Sequence, residues 1–121
     1  MTSTQSEQTS MQIIPPIVVD EHGDVEAYPS VSAATAAVEV VDVLNKEYAF
    51  YDSTGRVLEP HVHKGKVDLV PSDRLDSDSP VLRRRIAKVL SLLGVSDEIS
   101  TRASFSELSR LLLERSKRKG G

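Results

Sequence analysis

Two imidazoles spaced two apart, His61-x-His63, come nearest in this chain to ligand chemistry. On a strand, side chains at i and i+2 leave the same face. Imidazole nitrogens on one face can hold a divalent metal when further donors join them. Asp68 is that further donor if Lys64-Gly65 forms a two-residue turn, because the turn sets His61 opposite Asp68. Lys66 lies beside them and repels a cation, and no fourth ligand is evident. The pattern therefore reads more simply as a solvated or partner-facing strand surface, and no metal is assigned.

A second cluster, Arg83-Arg84-Arg85 with Lys88, has the composition of a phosphate-binding stripe, which makes these four the candidate contacts to nucleic acid. They also fall on the polar side of a helix whose apolar side is Leu82, Ile86, Val89 and Leu93. The triplet occupies the first helical turns, where the helix dipole disfavours cations, and no aromatic residue interleaves with it. For catalysis, the sequence has no nucleophile elbow, phosphate-cradling glycine loop or dinucleotide fingerprint. The acidic pairs Asp20/Glu21, Asp76/Asp78 and Asp97/Glu98 fall in predicted loops or caps, where carboxylates serve turns. The chain thus reads as a non-enzyme, with no catalytic residue and no cofactor.

Charge is the strongest long-range signal. Residues 1–79 carry five Lys/Arg against fourteen Asp/Glu, and residues 80–121 carry ten against four. Such asymmetry steers association with surfaces of opposite sign. Cysteine is absent, which excludes disulfides and thiolate metal sites and suits a reducing compartment. The first residues are Ser/Thr/Gln-rich without the basic and apolar regions of a secretory signal, and no run approaches the ~20 apolar residues of a membrane span. These features predict a cytoplasmic protein with no membrane association, comprising a disordered tail over residues 1–12 and one domain over 13–121. Within that domain, residues 13–71 form a sheet-rich acidic part and residues 80–119 a basic helical part.

The elements that must position these groups follow from periodicity. Ile17-Val18-Val19 and residues 25–28 predict two strands joined by a loop of about four residues containing Gly23. Ser30 caps a short helix through about residue 38, with Val31, Ala34 and Val38 on one face. Residues 39–46 are left as a connector. A three-strand meander covers residues 47–70, with Phe50 opposite Leu58 around the Ser53-Thr54-Gly55 turn and His63 opposite Lys66 around Lys64-Gly65. Residues 71–79 read as a polar linker. Ser79, Pro80 and Gly94 bound one amphipathic helix, and Ser104-Phe105-Ser106-Glu107 opens another with a capping box. The expected class is α+β: a mostly antiparallel sheet of about five short strands, one short helix and two amphipathic C-terminal helices.

Residues 20–31 (DEHGDVEAYPSV) followed by residues 47–58 (EYAFYDSTGRVL) resemble small bacterial immunity proteins of polymorphic toxin systems. The resemblance implies a cytoplasmic inhibitor that docks on one cognate toxin and performs no chemistry of its own. An acidic half that meets a basic cleft suits that role, since charge complementarity speeds association. The expected contacts are Glu21, Asp24 and Glu26 on the first hairpin, and Glu47, Tyr51, Glu59 and Asp68 on the meander, with the Asp73/Asp76/Asp78 linker beside them. Tyr51 alternates away from the Tyr48/Phe50 face, and exposed aromatics dominate many interfaces. Rival readings are a nucleic-acid-associated regulator and a self-associating module.

Overall fold

The β-branched run of Ile17, Val18 and Val19 lies at the heart of the sheet, buried on both faces as a central strand requires. In the computed structural model, which describes residues 12–120 and side chains through Ser116, five antiparallel strands form one sheet. They are β1 (Ile17–Glu21), β2 (Asp24–Tyr28), β3 (Ala49–Tyr51), β4 (Arg56–His63) and β5 (Lys66–Leu75), in the order β2-β1-β3-β4-β5. Helices α1 (Val31–Ala36) and α2 (Val40–Leu44) link β2 to β3, and α3 (Pro80–Leu92), α4 (Asp97–Arg102) and α5 (Phe105–Gly120) follow β5. The α+β class is therefore as expected. Apart from Gln12, the expected disordered tail lies outside the described residues. Among the described residues, no helix is long and apolar enough to cross a membrane.

Alternation divides the core in two. Ile17, Val19, Phe50, Leu58 and Leu69 pack with Ala34 and Val43 under α1 and α2. Val18, Val25, Ala27 and Tyr51 pack instead against Leu82, Ile86 and Leu90 of α3 and Phe105, Leu108 and Leu112 of α5. The helices are cut where the sequence places their signals: the Ser79 hydroxyl accepts from Leu82 N–H, and Gly94 follows α3 at φ +91°. The capping box closes in both directions, with Ser104 N–H donating to Glu107 Oε1 at 2.8 Å and Glu107 N–H to Ser104 Oγ at 3.1 Å. That first bond holds the Glu107 carboxyl below its ordinary range.

The meander registers match expectation. Phe50 faces Leu58, and His63, Val62, His61 and Pro60 face Lys66, Val67, Asp68 and Leu69. Four expectations need correction. The first hairpin has a two-residue turn rather than a loop of about four: Glu21 pairs with Asp24, and His22 and Gly23 take the positive φ angles of a type I′ turn. The Asp20 carboxylate accepts from Gly23 N–H at 2.8 Å and so serves the turn from within the strand. Residues 40–44, expected to be part of a connector, form a helix that buries Val43. The supposed linker begins as strand, because β5 continues to Leu75 past a register shift between Arg56 and Leu58, with Ser72 Oγ donating to Val57 carbonyl and Arg56 Nη1 to Ser72 carbonyl. Pro71 is tolerated there because β5 is an edge strand. Finally, the short helix α4 stands between the two expected C-terminal helices, capped by Ser96.

Candidate functional site

Alternation on β1 and β2 sends Glu21, Asp24 and Glu26 out from one face of the sheet, the side that carries α1 and α2. Glu21 pairs across the strands with Asp24, and Val19 with Glu26. With Val19, Tyr28, Val38 and Tyr48 they line a hollow of about 120 Å³. The Tyr28 hydroxyl donates to Glu26 at 2.9 Å. Partial burial, reinforced by that bond, pushes the Tyr28 phenol up to about 12. Burial and then the Glu21 charge raise Tyr48 as well. At the hairpin tip His22 Nε2 pairs with Glu47 Oε1, and this contact raises the imidazole above its ordinary value. Four of the seven expected contacts, Glu21, Asp24, Glu26 and Glu47, thus gather at one hairpin.

The other three do not join them. Glu59 and Asp68 are exposed on the opposite face, on the part of β4 and β5 beyond the reach of the C-terminal helices. The expected continuous acidic surface is therefore split by the sheet itself. Tyr51, expected to be exposed, is only 8% accessible. Its ring meets Phe105 edge-on with centroids 6.4 Å apart, because α5 covers the face toward which Tyr51 alternates. Burial also raises its phenol. Of the former linker acids, Asp73 and Asp78 are exposed, and Asp76 accepts from Arg74 at 3.1 Å.

Two further acidic groups are consumed by the fold. Asp20, 4% exposed, accepts from Arg85 Nη1 at 2.6 Å, which ties β1 to α3. Asp52, 1% exposed, accepts from the N–H groups of Ile14, Thr54 and Arg56 and from the Thr54 hydroxyl. It thereby builds the β3–β4 turn.

The basic cluster is also divided. Arg85 is committed to Asp20, and Arg83 donates to the carbonyls of Ser77 and Ala103. Arg84 and Lys88 remain exposed, one helical turn apart. A phosphate stripe of four cations is thus reduced to two side chains free of such ties. His61, His63 and Asp68 share a face as the register requires. Among the described residues, however, no group of three His, Asp or Glu is placed to hold a metal ion.

Sequence reasoning missed His22, Tyr28 and Tyr48 as companions of the hairpin acids. The signal for Tyr28 was present in Glu26-x-Tyr28, whose spacing puts both on one strand face. The His22–Glu47 pair joins residues 25 apart in the chain and follows only from the tertiary order of β1 and β3. Comparison of the chain with protein-family models, with characterised proteins and with solved structures finds no match. The functional reading accordingly rests on the geometry above.

Proposed function

We propose that the protein is a non-catalytic cytoplasmic binding protein, an immunity-type inhibitor that neutralises a cognate toxin by docking on a basic surface. One observation carries the reading: Glu21, Asp24 and Glu26 leave the same face of the β1–β2 hairpin around Tyr28 and Tyr48, with Glu47 held at its tip. Carboxylates beside amphipathic rings suit the Lys and Arg side chains of a basic cleft, through charge-assisted hydrogen bonds and cation–π contact. A concentrated negative patch also accelerates encounter with a positive partner. The hairpin is a rigid platform for such contacts. Its two strands are fully paired, Asp20 anchors it to α3, and His22–Glu47 ties its tip to the start of β3.

The nucleic-acid reading gains no specific support, since two of its four cations are engaged within the fold. Affinity capture from the native cell tests the proposal. One stoichiometric polypeptide with a basic surface is expected; recovery of nucleic acid alone, or of no stoichiometric polypeptide, would contradict it.

A further inference from the structure

Two surfaces of opposite charge lie on opposite faces of the sheet. Residues 12–45 contain no Lys or Arg, and the outward side of β1–β2 gathers Glu21, Asp24 and Glu26 at a hollow that Ala37, Val38, Tyr28 and Tyr48 also line. On the other face, α3 contains no Asp or Glu. Its buried stripe of Leu82, Ile86 and Leu90 packs on the sheet. That packing turns Val81, Arg84, Lys88 and Leu92, spaced i, i+3, i+7 and i+11, toward the outside, and all four are exposed.

Other cations of the fold have acidic company. Lys66 shares a strand face with Asp68, Arg74 bonds Asp76, and Arg102 stands 3.7 Å from Glu98. On α3 itself, Arg83 is spent on carbonyls and Arg85 on Asp20. Arg84 and Lys88 have no such tie among the described residues, and aliphatic side chains bracket them, Val81 at 51% exposure and Leu92 at 79%. A single exposed Leu needs no explanation. Two unpaired cations between two aliphatic groups, however, match carboxylates set beside apolar and aromatic groups, and the hairpin hollow has that composition. One molecule thus carries both halves of a complementary contact.

We propose that the α3 stripe of one copy docks on the β1–β2 acidic hollow of a second copy. The two surfaces face opposite sides, so a molecule cannot offer both to the same neighbour. A two-fold dimer therefore does not close, and association runs head to tail. Exposed charges make the contact weak and sensitive to salt. The contact uses the hairpin assigned above to the toxin, so a toxin seated there ends the row of copies. It needs no toxin to form: the pure chain decides this inference, whereas capture of a partner decides the docking reading.

Sedimentation equilibrium of the full chain over rising concentration tests the proposal, at about 0.01 M salt, where the Debye length is ~30 Å, and at about 1 M, where it is ~3 Å. The average mass should climb past that of a dimer at low salt and return to that of a monomer at high salt. Arg84→Gln with Lys88→Gln should weaken association about tenfold, the scale of two exposed ion pairs. Reversal on either side, Arg84→Glu with Lys88→Glu or Glu21→Lys with Glu26→Lys, should leave each chain monomeric, and mixing the two reversed chains should restore association. If a reversed chain fails to fold, the Gln pair carries the test. A monomer at every concentration in low salt would overturn the proposal, as would a mass that levels off at a dimer. Association that persists undiminished at high salt or in the Gln pair, or folded reversed chains that do not associate when mixed, would overturn it too. So would a short oligonucleotide that binds α3 more tightly than a second copy does, since the stripe would then serve nucleic acid.

Discussion

The two outer hairpins of the sheet are built on the same turn and live in different surroundings. His22-Gly23 and Lys64-Gly65 both close two-residue turns with positive φ at each central residue. The β1–β2 hairpin is covered on one face by α3 and α5, is pinned by Asp20–Arg85, and gathers four acidic side chains at its open end. The β4–β5 hairpin is covered on one face by α1 and α2, and on its other face, past Val57, which packs toward the C-terminal helices, it displays Glu59, His61, His63, Lys66 and Asp68 with charges of both signs. Local turn chemistry thus fixes register, while the layers decide which carboxylates act together.

The sharpest way to break this contrast is to truncate one side chain on each hairpin. Ile17→Ala on β1 removes a side chain with no exposed area and should cost about 2–5 kcal/mol in chemical denaturation. His61→Ala on the open face should stay within about 0.5 kcal/mol. Comparable losses at both positions would mean that the open face is covered.

Arg85→Ala is next in size. It strands the buried Asp20 carboxylate and should cost about 2 kcal/mol, below the ~3–5 kcal/mol of a fully enclosed pair because Arg85 is 44% exposed. Replacing both members, Asp20→Leu with Arg85→Met, should recover part of that loss.

The turns themselves should behave alike. Gly23→Ala and Gly65→Ala each place a Cβ in open space at a positive φ, so each should cost about 1 kcal/mol. Gly55→Ala, whose Cβ would lie 2.6 Å from Ser77 at φ +87°, should cost more than either.

The smallest effect concerns pH. His22 is raised by Glu47, so its contribution to stability is complete below the unfolded value of 6.5 and disappears as pH rises through the folded one. The His22 ring resonances should titrate above 6.5 and return toward it in Glu47→Gln.

Much of this was legible in the sequence. The registers around Gly55 and Gly65, the Ser79-Pro80 start, the Gly94 stop and the Ser104–Glu107 box are local devices, and local devices are written in adjacent residues. What escaped depended on layers. Alternation put Tyr51 on the correct face, but no local signal said that Phe105 would arrive there. Arg83 and Arg85 looked like solvated cations because their partners, Ala103 and Asp20, lie 20 and 65 residues away. The acidic half read as one surface because composition does not record which side of a sheet a carboxylate leaves.

Capture of the partner with two charge-neutralised chains, run beside the unaltered protein, is the most direct measurement. One chain carries Glu21→Gln, Asp24→Asn and Glu26→Gln; the other carries Glu59→Gln and Asp68→Asn. If the β1–β2 hairpin is the docking element, the first chain releases the basic polypeptide and the second retains it. Retention by the first chain, or release by the second alone, would contradict the assignment.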